Sequence, residues 1–554
     1  MGRPKQLYIE ATGTTLFKGP RTTIWYRGYI GNLALLADSL DIAHSDEGGI
    51  LLAAFDRWGT DLGQRLEGEF ALVCQDVASG TASLHHDEYG LVPLFYRVSS
   101  DGLHVGFHLD DLVSCPGQSD LDGDYIRELL RFGDVYSART PYTTVKRLLP
   151  GQCALWDGSS LALADCWSPP TKPQHASFSD NAAELRRLIG AAVAAALSAQ
   201  GSTWCELSGG LDSSTVLATA LRATTGPLDA VTYAYPSAPA ADESIWVARF
   251  REALPVPLHT VDGDACPPFG GSLGPGHAEP TIGLHHAARD AALIAVLTAH
   301  GVDHLLTGMG GDEVLFGYRL KPYFVMDYLR ALQPVTARKE LSEWSARVFP
   351  RRSSLHWLTQ LRESPSFRPS PNAPVAPWLS RATVKSAGRG LRDMRSPTAP
   401  EPSLAKRRYM EAVMTGARVV STCLATRRCR TQFRNPLFNR TLVQFCRDLP
   451  WQHQAGGEVL RPLLRDAMRG VLPEPTRART DKPNFDQVLF RGLRDACPAL
   501  TGGARDSYLA QAGFIDPDIW TQTLHKARLG YAPHFKAFLV TANLQVWLKF
   551  RLNF

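Results

Sequence analysis

One stretch constrains this chain more than any other: Cys205-Glu206-Leu207-Ser208-Gly209-Gly210-Leu211-Asp212-Ser213-Ser214. An apolar run from Thr203 to Leu207 leads into it, and a helical pattern from Thr215 to Ala223 leads out. Gly209 and Gly210 carry no Cβ, so a ligand can come close to the backbone there. The N–H groups at the start of the following helix point at an anion, and the helix dipole favours negative charge at that end. Ser208, Ser213 and Ser214 add hydroxyl donors, and Leu207 and Leu211 frame the turn. The spacing is not Gly-x-x-x-x-Gly-Lys-Ser/Thr, so this is a phosphate-cradling turn of another kind. Residues 207–214 are the expected ATP-binding segment.

A second turn has the same build. His304 to Thr307 reads as a strand, and Gly308-Met309-Gly310-Gly311-Asp312-Glu313 follows it. In a parallel sheet both turns leave the carboxyl ends of strands, where such folds bind ligands. Gly308 and Gly310 then belong to the nucleotide site, and Asp212 and Asp312 face one another across it. Two hard carboxylates suit Mg²⁺, which keeps waters and bridges substrate phosphates.

The rest of the chain divides in two. Residues 1 to about 165 read as β-rich, with strand-like stretches Thr22 to Tyr29, Phe70 to Gln75 and Leu94 to Val98, and helical spacing in Ile50 to Trp58. The polar, Pro-rich Ser168-Pro169-Pro170-Thr171-Lys172-Pro173-Gln174-His175 reads as a linker. Beyond it, helix Ala182 to Ala199, strand Ala230 to Tyr235 and helix Arg289 to His300 alternate with the two turns, which predicts an α/β domain with a parallel sheet. From about residue 320 the pattern is mainly helical. At 554 residues the chain exceeds what one core serves.

Several classes are excluded. No run of about 18 apolar residues occurs, so no membrane span is expected. The opening Met1 to Tyr8 lacks a signal peptide's apolar core, which points to the cytoplasm. A net charge of +5 is modest, and no feature specifies nucleic acid. The ten cysteines form no Cys-x-x-Cys pair, so buried free thiols are expected rather than a disulfide framework or a zinc site.

These residues resemble a known family. Ser208 to Ser214 is similar to the PP-loop of N-type ATP pyrophosphatases, and the second turn resembles the matching segment of asparagine synthetase B. Leu460-Arg461-Pro462-Leu463-Leu464-Arg465, Leu472-Pro473-Glu474 and Lys482-Pro483-Asn484-Phe485 look like that family's C-terminal segment, whose active-site Lys falls on Lys482. Trp25 to Asn32, Ala54 to Gly59, Leu66 to Ala71 and Asp87 to Tyr96 resemble its glutaminase domain. The implied architecture is an N-terminal Ntn glutaminase-like β-sandwich, degenerate here, over 1–167. A linker follows at 168–183, then a PP-loop ATP pyrophosphatase α/β domain with a helical C-terminal part over 184–554.

The departures shape the expected chemistry. The family's glutaminase has Cys directly after the initiator Met, where Gly2 stands, and an Asn-Gly pair where Arg27-Gly28 stands. With this start the domain is expected not to release ammonia from glutamine. The amine then comes from the substrate itself, a pattern similar to β-lactam synthetases and lasso-peptide macrolactam cyclases. The β-lactam group pairs a Tyr in the second turn with a distal Glu. Met309 and, on a looser match, Gln432 stand there, and neither takes a proton. Asparagine synthetases have Glu at the Met309 position.

The resemblance therefore implies a lasso cyclase that uses ATP and Mg²⁺. It would adenylate an Asp or Glu side chain of a precursor peptide and join it to the peptide's N-terminal amine. A leader peptidase and a leader-binding protein are the implied partners. Asp212, Asp312 and Lys482 carry the catalysis in this reading. His285 or His286 is a candidate base, Arg427, Arg428 and Arg434 are candidate walls of a substrate cavity, and Glu243 stands near nucleotide and metal. A small-acid ligase and a non-catalytic peptide scaffold are the alternatives.

Overall fold

The computed structural model describes residues 6–10, 12–43, 46–113, 117–135, 137–167, 176–197, 201–271, 277–317, 321–348, 353, 356–357, 374–390, 401–425, 429–454 and 459–552. Its N-terminal strands are β1 (Gln6–Glu10), β2 (Thr15–Lys18), β3 (Thr22–Ile30), β4 (Gly68–Asp76), β5 (Ala82–His86), β6 (Phe95–Val98), β7 (Gly102–Gly106), β8 (Lys146–Arg147), β9 (Gln152–Trp156) and β10 (Leu161–Asp165). They form one sheet in the order β1-β7-β6-β8 and another in the order β10-β9-β5-β4-β3-β2.

Strand β4 shows why two sheets stack. Successive side chains point to opposite faces. Phe70, Leu72 and Cys74 pack with the helices Leu33–Leu40 and Glu47–Trp58. Ala71 and Val73 pack with Tyr96, Leu103 and Val105 of the other sheet. Both faces of β4 are covered, so it reads as a continuous apolar run rather than an alternating one. The β-rich reading holds, with three helices it did not foresee, Leu33–Leu40, the short Leu62–Arg65 and Gly123–Phe132.

One cysteine expectation is corrected. Cys153 and Cys166 form a disulfide with Cα atoms 5.8 Å apart. Antiparallel pairing of β9 with β10 brings the two ends of the hairpin together, which a spacing of 13 residues does not announce. Cys74, Cys205 and Cys446 are buried free thiols, as expected.

The Pro-rich stretch 168–175 lies outside the described residues. The helix Phe178–Ala196 starts inside the expected linker, because the Ser177 hydroxyl caps it by accepting the Asp180 N–H at 3.2 Å. Five parallel strands follow: β11 (Thr203–Glu206), β12 (Asp229–Ala234), β13 (Leu258–Asp262), β14 (His304–Leu306) and β15 (Gln432–Arg434), in the order β13-β12-β11-β14-β15. The chain runs outward from β11 to β13, then returns to β11's other side as β14. Between β11 and β14 the order reverses, and such a switch point opens a crevice at the strands' carboxyl ends.

The two halves share ion pairs with little exposure to water. Arg147 pairs with Glu279, Arg440 with Glu88 and Arg551 with Asp110, each joining the N-terminal half to the C-terminal half. Among the described residues no helix is long and apolar enough to cross a membrane.

Candidate active site

Both glycine turns sit at this switch point. The first follows β11 and feeds the helix Leu211–Ala223; the second follows β14. Gly209 has φ +72°, and a Cβ there would meet the Cβ of Trp246 at 2.6 Å. Glycine at 209 therefore serves the loop's fit against Trp246 as well as its turn. A Cβ on Gly308 would meet the Ser213 nitrogen at 2.5 Å, so the second turn can lie directly on the first only as glycine. Within the first loop, the Ser213 hydroxyl accepts the Ser208 N–H at 3.1 Å and lies 2.9 Å from the Ser208 hydroxyl. The Ser214 hydroxyl is buried without a hydrogen-bond partner.

This packing brings Asp212 and Asp312 together. Arg461 bridges them, donating from Nη1 to Asp212 and from Nη2 to Asp312. Lys482 Nζ donates to Asp312 Oδ1 at 3.0 Å. Burial raises the Asp212 pKa above the usual carboxylate range; the Arg461 guanidinium opposes this and the nearby Asp312 charge adds to it. Two carboxylates this close are costly as a bare pair, and the two cations offset that cost.

The donor set also fits a magnesium ion shared with a nucleotide. Among the described residues no group of three or more His, Cys, Asp or Glu forms a cage. An ion that takes one or two carboxylates and completes its shell with phosphate and water needs none.

Glu243 stands one step back. It precedes the helix Ser244–Ala253 and accepts from Arg479 Nη1 at 2.6 Å. Arg479 also lies 4.7 Å from the Trp246 ring centroid and donates to Asp481. Glu243 thus ties the segment carrying Lys482 to the residue against which Gly209 packs. Asp242 accepts the Tyr235 N–H at 2.9 Å and is part of its own loop.

Other expected residues are placed elsewhere. His285 packs on Phe269 and lies 3.3 Å from Asn543, and its pKa is pushed down to about 4 by burial. His286 is lowered further, by burial and Arg289. Imidazoles this acidic are weak bases for an ammonium group. Their contacts with Phe269, Asn543 and Arg289 lie outside the two turns. Arg434 donates to the Ala196 carbonyl at 2.7 Å and to Gln432 Oε1 and stacks 4.7 Å from the Tyr29 ring, so its charge is spent within the core. Gln432 pairs in register with His304, at the end of β15 remote from the turn. It therefore does not stand beside Met309, and the looser positional match is corrected. Arg427 and Arg428 lie outside the described residues.

Sequence reasoning missed Arg461. Its segment was recognised, but the residue lies 249 positions from Asp212 and 149 from Asp312, and only the fold reveals the bridge. A second missed feature reaches the second turn from the N-terminal half. Glu69 of β4 accepts the Asn435 backbone N–H and its Nδ2 at 2.8 Å, and Asn435 Oδ1 accepts the Thr307 hydroxyl at 2.7 Å. Thr307 Oγ1 in turn accepts the Met309 N–H at 3.2 Å.

A parallel sheet with nucleotide-type turns at its switch point, preceded by a stacked-sheet domain, defines a two-domain amidotransferase-like architecture. Residues 17–167 match the glutamine amidotransferase domain model, and residues 184–549 match asparagine synthase. The chain belongs to the asparagine synthase family, with an Ntn-type amidotransferase domain at its N-terminal end. It is 26% identical to asparagine synthetase [glutamine-hydrolyzing] 3 of Bacillus subtilis over 37% of this chain and 34% of that protein. It is 27% identical to the asparagine synthetase [glutamine-hydrolyzing] of Cricetulus griseus over 37% of each. The matches thus span about a third of the length of the curated relatives. A glutamine phosphoribosylpyrophosphate amidotransferase structure from B. subtilis overlaps 55% of this chain and 59% of its own at 13% identity and a TM-score of 0.20, too slight to bear on the fold.

Proposed function

We propose that this protein is an ATP-dependent amide ligase that forms an acyl-adenylate and releases pyrophosphate and AMP. The observation that carries the reading is the Asp212–Asp312 pair under Arg461 and Lys482 at the sheet's switch point. ATP lies with its phosphates along Ser208 to Ser214. A magnesium ion on Asp212 and Asp312 would neutralise charge on the phosphate oxygens. A carboxylate oxygen of the substrate attacks the α-phosphorus, and the bond to pyrophosphate breaks. Lys482 holds the charge that develops on the phosphate and then on the tetrahedral oxygen. An amine nitrogen attacks the acyl carbon, its proton passes to solvent, and the bond to AMP breaks.

The finer reading is a macrolactam synthetase. The carboxylate is an Asp or Glu side chain of a precursor peptide, and the amine is that peptide's own N-terminus. Two internal positions support it. Met309, 43% exposed on the second turn, offers no acid or base where asparagine and β-lactam synthetases have one. Arg27, at the position of the glutaminase Asn, lies with Nη1 2.5 Å from His108 Nε2. The named relatives favour a second reading, asparagine formation from a small acid and ammonia.

Pyrophosphate release separates the two. A linear peptide with a free N-terminus and an internal Asp should support release and lose one water in mass. Release with aspartate and ammonia, and none with any such peptide, would contradict the macrolactam reading.

A further inference from the structure

A chamber of about 530 Å³ is lined by residues that border, along the chain, the segments holding the carboxylate pair. Two of its lining residues connect it to the site. Leu460 directly precedes Arg461, and Phe316 directly precedes Gly317, against which Asp312 and Arg461 lie. The chamber extends from there between the helices Phe324–Arg330, Pro334–Val348 and Leu404–Ala425. Its walls include Tyr323, Phe324, Tyr328, Trp344 and Trp451. Phe324 and Trp451 stack on one another with centroids 5.2 Å apart and planes 8° apart, which braces this side of the chamber.

Several charges around it are paired within the protein. Asp327 accepts from the Ser403 hydroxyl at 2.8 Å and the Ala405 N–H at 3.2 Å. Asp448 pairs with Lys406 at 2.8 Å and with Arg447 at 3.0 Å. Arg408 pairs with Glu411 at 2.7 Å and lies over the Tyr323 ring. What such a chamber offers a ligand is aromatic surface with polar groups at fixed places, the composition of sites for ligands far larger than one small amino acid. An aspartate-sized acid would leave most of it empty.

We infer that this chamber binds an apolar, aromatic-bearing segment of the acyl donor and so sets which carboxyl-bearing chain reaches Asp212 and Asp312. The inference rests on the ligase reading and narrows it to a peptide-sized donor with aromatic side chains. The wall rings, Tyr328 and Trp451 among them, take an aromatic side chain in offset or edge contact. The donor's carboxylate reaches past Phe316 and Leu460 to the nucleotide.

The test uses the full-length protein and two linear peptides of equal length. Both have a free N-terminus and an internal Asp; one carries Trp and Phe in its tail, the other Ser at those places. The aromatic peptide should give at least tenfold higher kcat/KM for pyrophosphate release, expressed through KM. Ala405→Trp, which fills the chamber, and Trp451→Ala, which removes a wall, should each erase that preference, with ATP affinity unchanged as proof of folding. A preference that survives Ala405→Trp, or no preference in the parent protein, overturns the inference while leaving the ligase intact. An unreactive version of the aromatic peptide, with Asn for Asp, is titrated by calorimetry. Binding that Ala405→Trp abolishes supports the chamber as a peptide site even if neither peptide releases pyrophosphate, an outcome that counts against the macrolactam reading and not against the chamber.

Discussion

Asp212 and Asp312 lie on one guanidinium, and each makes a separate demand on the chemistry. Removing either should cut pyrophosphate release by at least about 100-fold, the usual loss when one charge-stabilising group leaves a closed site. Circular dichroism on Asp212→Ala and Asp312→Ala should show an intact fold; retained turnover would discard the metal assignment. Lys482→Ala should lose rate with little change in ATP affinity, because its ammonium acts on charge that develops during the reaction. Arg461→Ala leaves two carboxylates facing each other without their bridge. Its melting temperature should fall without nucleotide and recover with ATP and magnesium, which supply the missing positive charge; no recovery would mean that Arg461 only braces the fold. The aspartates and Lys482 were legible because each sits in a short motif with its own signature. Arg461 was not, since a bridge between distant turns has no local pattern. The histidines misled for the opposite reason: a His-His pair looks reactive in sequence, and only burial shows that both are held neutral.

At the scale of elements, the two glycine turns work as one unit. Gly209→Ala would place a methyl at 2.6 Å from Trp246 in a backbone region that costs an L-residue about 1–3 kcal/mol. ATP affinity should drop in that variant, read by nucleotide titration; unchanged affinity would show that the loop is not the phosphate cradle. Glu69 gives a pH signature for the link from β4 to the second turn. Burial pushes its pKa up to about 7 from the usual 4.5. The folded protein keeps a proton there that the unfolded chain releases. The stability from this group is therefore full below about pH 4.5 and is lost as pH rises through about 7. Glu69→Gln should flatten that part of the melting-temperature profile, and an unchanged slope would place the titration elsewhere. Strands β11, β12 and β14 were readable as apolar runs beside glycine turns or helices. Strand β15 was not: three residues, Gln432-Phe433-Arg434, carry almost no periodicity and become a strand only because β14 offers an open edge.

Across the whole molecule, the N-terminal half is fixed to the synthetase-like half by ion pairs with little access to water. Breaking one partner of such a pair costs about 3–5 kcal/mol. Arg147→Ala, which removes Glu279's hydrogen-bonded partner, should lower the melting temperature of both halves together, seen as one calorimetric transition; two separated transitions would mean the halves unfold independently. The division into a β-rich half and an α/β half was visible in the change of texture near the Pro-rich stretch. The ion pairs that join them were not, because Arg147 and Glu279 are 132 positions apart. The aromatic chamber was equally hidden, since Phe324 and Trp451 come from distant helices.

The central claim is that a substrate carboxylate is joined to the adenylyl group of ATP at the Asp212–Asp312 pair. It is tested by labelling the substrate's carboxylate oxygens with ¹⁸O and weighing the nucleotide product. Attack on the α-phosphorus, followed by loss of AMP to the amine, leaves one labelled oxygen on AMP, so its mass should rise by about two daltons, and Asp212→Ala should yield no labelled AMP. Unlabelled AMP, or ADP with the label in inorganic phosphate, would contradict the account.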